Sequence, residues 1–461
     1  MNPEPRALDK CEEFEAEVTM DTTFVFPDNL SDHLTLGKHL IIAPEQANWL
    51  VCDDEEYEAF GLFREEKSIQ DVQETLARQR KMSADQAMEV VSRLLAQILG
   101  KEFLRDAMIR EKPLYRTASL HITAGCNLRC TTCLWDATVP EPNECSLEHW
   151  QKFLSTFKVG GGESVVLTGG EPMLNPDCFN IIRFGNKCGL KMVMFSNGIL
   201  VTEENARFLG NFCSEIQLSI DGPNAETHES IRGAGTFKKV IFALRELSKY
   251  PKCRLSVAMT ATSETLPIFQ SNLDQFTRWV RQEISSDIIF RVTQKLVAGR
   301  NLACMSKQEE SEFKNSVHAL CDDQIEQDFI HKLDAATIIP NSRVFSCGLA
   351  ESFSVRPNGD IWPCAYLPDT FCNIKDMIDG RSFMLELIGQ LQQLRCSTSV
   401  DKVSPCCGCE LRYFCGGRCR KDNRTDHGDL NICKCDDTFK QEWYERLVGI
   451  NPFIVEPITD L

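Results

Sequence analysis

The sequence predicts an α/β protein built on a partial (β/α)6 barrel of the TIM type, with a winged-helix-like domain before it and a cysteine-rich domain after it. Three observations predict this. Six apolar runs of strand length alternate with helical patterns between about residues 115 and 300, which implies a parallel sheet with covered faces. Short strand-like runs followed by three helical patterns fill about residues 20–108. Eleven of the 23 cysteines crowd into about residues 340–435, where long periodic segments are few.

In the front region, residues 23–26, 39–42 and 49–52 read as short strands, the last two flanking a hairpin loop at 43–47. Helical patterns follow over 55–63, 69–78 and 84–99. In the third, Ala87, Val91, Leu94, Leu95 and Ile98 recur at helical spacing, and Ser83 with Gln86 makes a capping box. The barrel strands are expected at 119–123, 164–168, 191–195, 215–220, 254–260 and 287–292. The chain then divides into an acidic segment (1–22), the front domain (23–108), the barrel (115–300), a helical linker (301–340), the cysteine-rich domain (341–435), and a C-terminal helix and tail (436–461).

Charge and composition exclude several functions. A formal charge of -17 argues against nucleic acid, whose phosphates need a basic face. No run of about 18 apolar residues exists to cross a membrane. The acidic first 22 residues lack a signal peptide's basic and apolar regions, so the chain reads as cytoplasmic. Disulfide scaffolds are short and secreted, whereas a long cytoplasmic chain keeps its thiols reduced. So many cysteines there point to metal.

Cys126, Cys130 and Cys133 stand within eight residues, directly after the first barrel strand. Three thiolates so placed can wrap one face of a cubane cluster, and soft sulfur suits iron. Three protein ligands leave one iron open. At the end of the next strand stands Thr168-Gly169-Gly170-Glu171-Pro172. Its glycines let backbone approach a ligand, and Glu171 can hold an ammonium. Strand carboxyl ends are where such sheets bind ligands.

Here the sequence resembles the radical S-adenosylmethionine (SAM) superfamily, over about residues 115–300. The resemblance implies that Cys126, Cys130 and Cys133 hold the SAM-cleaving [4Fe-4S] cluster and that Gly169, Gly170 and Glu171 bind the methionine portion of SAM. It makes Ser196 and Asn197 SAM contacts, with Ser219 and Asp221 at the next strand end. Arg232 is similar to a residue that meets the SAM carboxylate. Thr132 departs from the pattern, since many members carry an aromatic residue there; Trp135 is a possible substitute or a core residue.

Cys347, eleven residues, Gly359, four residues and Cys364 are followed by Cys406-x2-Cys409-x5-Cys415-x3-Cys419, then Cys433 and Cys435. This resembles the SPASM extension of radical SAM enzymes, which implies two auxiliary four-iron clusters and three [4Fe-4S] clusters in all. By that resemblance Cys347, Cys364 and Cys419 hold the first. Cys406, Cys409 and Cys415 hold the second, completed by Cys435 or Cys433. Some relatives carry a further cysteine where Phe353 stands, so the first auxiliary cluster either keeps an open iron or is completed by Cys372. Ala365 replaces an aspartate of sulfatase-maturing relatives, which counts against that activity. Cys407 falls outside the spacing. Two zinc sites on the same thiolates are the competing reading.

The front region resembles the peptide-recognition element of enzymes that modify ribosomally made peptides, related to the pyrroloquinoline-quinone peptide chaperone. That implies a precursor peptide whose leader adds a strand to the small sheet. The expected function is a radical SAM oxidoreductase that cross-links such a peptide, by a thioether or a carbon–carbon or ether cyclophane, with flavodoxin or ferredoxin as electron donor. The alternatives are a peptidyl epimerase, with Cys407 or Cys304 as hydrogen donor, and a non-catalytic, zinc-bound peptide-binding scaffold.

Overall fold

The structure is a computed structural model that describes residues 18–107, 114–294 and 338–450, with 300, 309, 312–313, 316–317, 320 and 325–327 between the last two. Most of the acidic segment, most of the linker, Cys304 and the tail beyond residue 450 lie outside the described residues.

Strands β1 (Ser31–Thr35), β2 (Lys38–Ala43) and β3 (Asn48–Cys52) form an antiparallel meander in that order. Leu36 and Gly37 turn β1 into β2, both at positive φ (51° and 70°), the turn geometry that matches strand twist. Three helices follow: α1 (Asp54–Arg64), α2 (Ile69–Arg80) and α3 (Ala84–Gly100). Each opens on a reciprocal capping box, at Asp53 with Glu56, Ser68 with Asp71, and Ser83 with Gln86, which satisfies N–H groups the helix itself leaves free.

Alternation along the strands divides the sheet between two cores. Ile41, Ala43, Leu50 and Cys52 face the helices. Leu40, Ile42, Trp49 and Val51 face Leu411, Phe414, Trp443 and Leu447 of the C-terminal region, and Trp49 Nε1 donates to Leu447 O at 2.9 Å. The two edges differ. On β3, Gln97 of α3 bonds both Val51 N (3.1 Å) and Val51 O (2.9 Å), and Lys101 Nζ donates to Trp49 O at 3.0 Å. The outer edge of β1 pairs with no strand among the described residues.

Residues 23–26, expected as a strand, pair with nothing; the first strand is Ser31–Thr35 instead. Phe24 and Phe26 serve as covers, edge-on to Phe63 and Phe60 with centroids 5.4 and 5.0 Å apart. Pro27 has no N–H to offer a ladder. β1 carries one apolar residue, Leu34, which is exposed, so its pattern is silent.

The second sheet holds the six expected strands, with ends shifted by at most two residues. They are β4 (Thr117–His121), β5 (Ser164–Thr168), β6 (Lys191–Ser196), β7 (Glu215–Ser219), β8 (Arg254–Ala261) and β9 (Ile289–Gln294), parallel and in sequence order. Between them run α4 (Leu147–Val159), α5 (Cys178–Lys187), α6 (Glu203–Phe212), α7 (Ala225–Arg232), α8 (Thr236–Ser248) and α9 (Leu266–Glu283). Right-handed crossovers between sequential parallel strands put these helices on one face, leaving the strand ends and the other face for a ligand.

Three strands were not expected. Strand β10 (Ile325–Gln327) lies parallel to β9, inside the stretch expected to be a helical linker. An open sheet edge offers unpaired backbone, and a three-residue strand suffices to cover it. The described helical residues Phe313 and Val317 of that stretch bury in the barrel core. Strand β11 (Phe353–Val355) lies parallel to β4, and β12 (Ile361–Trp362) returns antiparallel to it. The sheet runs from β10 to β12 and stays open, a partial barrel. Phe353 is core, edge-on to Phe157 at 5.7 Å. A helix at Gly380–Ser397, also unanticipated, adds Met384, Leu387 and Leu391 to that core. Among the described residues no helix is long and apolar enough to cross a membrane.

Candidate active site

The loop after β4 carries Cys126, Cys130 and Cys133, and several anchors hold it. Gly170 N donates to Thr123 O (2.9 Å) and Glu171 N to Gly125 O (2.8 Å), so the Gly-Gly-Glu segment is strapped along residues 123–125. A Cβ on Gly169 would lie 2.3 Å from Thr123 O, and one on Gly170 2.1 Å from Gly125 O. Both glycines also line the cavity at this end of the sheet. On their other side the chain's own backbone comes close, and that approach fixes Gly125, the residue before Cys126. Glu144 Oε1 accepts from Ala124 N (2.7 Å), Thr123 Oγ1 (3.0 Å) and Glu141 N (3.0 Å). Further along, Cys126 N donates to Thr138 O, Thr131 N to Ile231 O, and Arg300 Nη1 to Cys130 O.

Burial is the largest effect on the Cys126 and Cys130 thiols and pushes both up. Each also feels Cys133 and Arg232; Cys126 feels Glu171, and Cys130 feels Cys126. The two thiols thus share Cys133 and Arg232 in their electrostatic surroundings, in keeping with ligands of one cluster.

The next strand ends converge on the same place. Glu171 is fully buried, and its carboxylate accepts from Ser196 Oγ (2.8 Å), Asn197 N (2.8 Å) and Met173 N (3.3 Å). Burial raises its pKa, and those donors with Arg232 pull against the rise. Asn197 Nδ2 reaches Asn127 Oδ1 in the cysteine loop at 2.8 Å. Ser219 closes β7 opposite Ala258. Buried Asp221 takes Arg232 Nε at 2.6 Å and Thr260 N at 2.9 Å. Burial works to lower the Arg232 pKa, but Asp221 and the Cys130 and Cys126 thiols outweigh it and leave it raised.

The later cysteines gather in two groups. Cys347 and Cys419 share a hydrogen bond that pulls Cys347 down to about 6 and pushes Cys419 up, and Cys364 feels Cys347. The sulfurs of Cys406, Cys433 and Cys435 lie within 4.8 Å of one another. Cys415, pushed up to about 12 by burial, feels Cys409, Cys433 and Cys435. Both Cys433 and Cys435 thus stand beside Cys406 and are felt by Cys415, and Cys435 also feels Cys409. Each of the three groups has a backbone N–H two residues on that donates to a sulfur: Leu128 N to Cys126 and Tyr366 N to Cys364 at 3.5 Å, and Gly417 N to Cys415 at 3.4 Å. Such bonds favour sulfur as thiolate, the form that ligates metal. Cys407 is exposed. The Cys372 thiol is pushed up to about 12 by burial and has Glu386 and Asp376 as its charged neighbours, not Cys347.

Sequence reasoning passed over several residues that build these sites. Arg420 is buried, and its guanidinium donates to the carbonyls of Thr398, Gly416, Gly417 and Arg418, tying the Cys415–Cys419 turn together. Its position directly after Cys419 in a glycine-rich turn was the available signal. Glu144, Asn127 and His228, whose Nδ1 accepts from Asp221 N at 3.2 Å, carry no signal outside the folded chain.

A singly wound parallel sheet, a three-thiol loop on its first strand, and a buried glutamate and arginine–aspartate pair at the following strand ends define a class of cluster- and SAM-dependent domain. Residues 120–263 match the model of the Radical SAM superfamily, and the chain carries a radical SAM domain. The AdoMet-dependent heme synthase of Oleidesulfovibrio alaskensis is 34% identical over 163 residues, which are 34% of this chain and 41% of that protein. The chain thus spans less than half the length of the first curated relatives it matches. The antilisterial bacteriocin subtilosin biosynthesis protein AlbA of Bacillus subtilis is 26% identical over 339 residues, covering 70% of this chain and 71% of AlbA. Among solved structures, Streptococcus suis SuiB bound to S-adenosylmethionine superposes with a TM-score of 0.53 at 15% identity, covering 89% of this chain and all of that one. The likeness shows a shared fold.

Proposed function

We propose that the chain is a radical SAM enzyme that modifies a ribosomally made precursor peptide by joining two of its residues. The observation that carries the reading is the convergence of three thiols, Glu171 and the Asp221–Arg232 pair at successive strand ends of one sheet. When bound, the cluster and SAM supply a 5′-deoxyadenosyl radical that removes a hydrogen atom from the substrate. The chain's residues do the rest. Cys126, Cys130 and Cys133 present their sulfurs from a loop held by Glu144 and the Gly169–Gly170 strap. Glu171, oriented by Ser196 and Asn197, offers negative charge to the SAM ammonium. Arg232, held by Asp221 through Nε, has its Nη atoms left for the SAM carboxylate. Ser219 and Asn197 border the same rim. The two later groups, Cys347, Cys364 and Cys419, then Cys406, Cys409, Cys415 with Cys433 or Cys435, fit auxiliary clusters able to take up the surplus electron, and flavodoxin or ferredoxin would supply the first one.

A peptide substrate is favoured over the tetrapyrrole chemistry of the heme synthases by coverage. That likeness is confined to 163 residues, whereas the AlbA likeness runs through 70% of the chain. SuiB has also been captured with its precursor peptide SuiA. The leader would enter as a strand on the small sheet. At β1 a strand adds without breaking an existing bond; at β3 it must displace Gln97.

One observation favours a second reading for one site. Three sulfurs within 4.8 Å suit a single tetrahedral zinc at Cys406, Cys433 and Cys435. Metal analysis after anaerobic purification decides between iron and zinc. The enzyme reading is tested with SAM, dithionite and each short peptide encoded near this gene as candidate precursor. Deoxyadenosine and a peptide lighter by two hydrogens are expected, and both should vanish in Cys130→Ala. A modified peptide of unchanged mass would instead indicate epimerisation.

A further inference from the structure

A cavity of about 300 Å³ opens beside the site just described, lined by His121, Trp135, Glu141, Gly170 and Arg356 among others. It lies between the loop bearing Cys126–Cys133 and the segment that joins Cys347 to Cys364. The Arg356 guanidinium carbon lies over two indoles, 4.5 Å from the ring centroids of both Trp135 and Trp362. His121 meets Trp135 edge-on at 4.6 Å and completes the wall. Its burial holds it neutral, down to about 3, so it adds no competing cation.

One nitrogen of the guanidinium has no partner. Arg356 Nη1 is buried without a hydrogen-bond partner, and no carboxylate among the described residues closes an ion pair on it. Two acidic groups stand near enough to be felt, Glu141 and Asp360. Asp360 is committed to Asn358 and Asn373 (2.8 and 2.9 Å), and Glu141 is exposed at the rim. A buried, unpaired guanidinium N–H is costly and calls for a missing partner. The two indoles hold the planar fork in place, and the match of such a fork is a carboxylate bound through two oxygens.

We propose that this cavity is the substrate's carboxylate subsite, in which Arg356 grips an acidic side chain or the C-terminal carboxylate of the peptide and so decides which residue faces the cluster. This rests on the peptide reading above and deepens it. The test uses the reconstituted full chain and three tripeptides capped at the N-terminus: glycine-glutamate-glycine amide, glycine-glutamine-glycine amide, and triglycine with a free carboxyl end. Tryptophan fluorescence reads binding, since Trp135 and Trp362 report directly. Wild type should prefer the glutamate peptide or the free-acid peptide over glutamine by about tenfold, as expected for a charged hydrogen bond. The better of those two names the source. Arg356→Gln should abolish the preference and Arg356→Lys should restore part of it, with the SAM dissociation constant unmoved. No preference in wild type, or no binding of any peptide, overturns the subsite. So does weakened SAM binding in Arg356→Gln, which would give Arg356 to SAM instead. If Arg356→Gln fails to fold, the wild-type preference and Arg356→Lys still decide. Deoxyadenosine formation by wild type in the same samples separates the two claims. Its absence overturns the enzyme reading, and its presence without a carboxylate preference overturns the subsite alone.

Discussion

Gly170→Ala adds one methyl group to the strap beneath the cysteine loop. The new Cβ would sit 2.1 Å from Gly125 O, 2.5 Å from Gly125 C and 2.9 Å from Ala124 O, where real Cβ atoms keep at least 3.0 Å. All three neighbours are backbone, so no flexible side chain can yield. Relief needs a movement of about 1 Å at residues 124–125, a strain of about 1–3 kcal/mol. That alone is survivable. The functional cost is larger, because Gly125 leads into Cys126 and a working site tolerates only about 0.5 Å. A misplacement of about 1 Å lowers rate by about 100-fold. The assay is deoxyadenosine release under dithionite, with iron per chain measured alongside. Gly61→Ala is the control, since nothing lies within 4 Å of its Cβ. Gly170→Ala that holds iron and cleaves SAM at the wild-type rate would show that these glycines do not set the loop.

Three further outcomes are expected. Asp221→Asn strips Arg232 of the carboxylate 2.6 Å away; a buried cation left unpaired costs about 3–5 kcal/mol, so the melting temperature should fall and SAM binding by equilibrium dialysis should weaken, and an unmoved melting temperature refutes the pair's role. Lys101, buried beneath Trp49, is pulled down to about 7 by burial. Its unfolded pKa is near 10.4, so the folded state binds fewer protons between those values. Its contribution is greatest above about pH 10, declines as pH falls, and levels off below about pH 7, at most about 5 kcal/mol lower. Lys101→Met should therefore gain on wild type as pH drops from 10 to 7; parallel melting curves across that range would count against it. Leu34→Pro removes an N–H that the hairpin register turns away from β2, a position where an edge strand tolerates proline. Leader-peptide affinity should fall about tenfold or more, the worth of a backbone bond plus its blocked neighbour. Normal binding in Leu34→Pro, with tighter binding in Gln97→Ala, would place the leader on β3.

The barrel was legible because its strands are short apolar runs that recur between helical patterns, with alternate residues such as Val165 and Leu167 buried in the core. Runs such as Val165-Val166-Leu167 admit no other reading, and the structure moved their ends by two residues at most. The cysteine groups were legible because thiol spacing is a local code. What escaped lives on longer range. β1 is polar at every position but Leu34, so only its β2 neighbour tells it to be a strand. Residues 23–26 are apolar yet unpaired, because aromatic rings covering Phe60 and Phe63 produce the same pattern as a strand. Strands β11 and β12 are too short for any periodicity, and β4's free edge creates them. Residues 380–397 have Gly380 at the start and Gly389 within, which weaken a helical signal that packing on α4 restores. Trp135 lies against Arg356, 221 positions away, a contact no spacing argument spans.

The last consequence concerns the coupling of metal to peptide recognition. The face of the small sheet bearing Leu40, Ile42 and Trp49 is covered by Leu411, Phe414 and Cys415, residues of the same turn that carries the second cysteine group. The first group belongs elsewhere, since Cys347 and Cys364 pack on the barrel core. Ligand loss in the two groups should therefore loosen different parts of the chain. Cys415→Ser also places a hydroxyl in a buried position, at a cost of about 1–3 kcal/mol if it goes unsatisfied. Amide hydrogen exchange should rise across β2 and β3 in Cys415→Ser, and leader affinity should fall with it. In Cys347→Ser the rise should fall instead on β4 and β11. Equal exchange in β2 and β3 for the two variants would break the link. Unequal exchange would mean that the second group holds the surface on which the peptide docks, so that iron, or zinc in its place, serves recognition there before it serves chemistry.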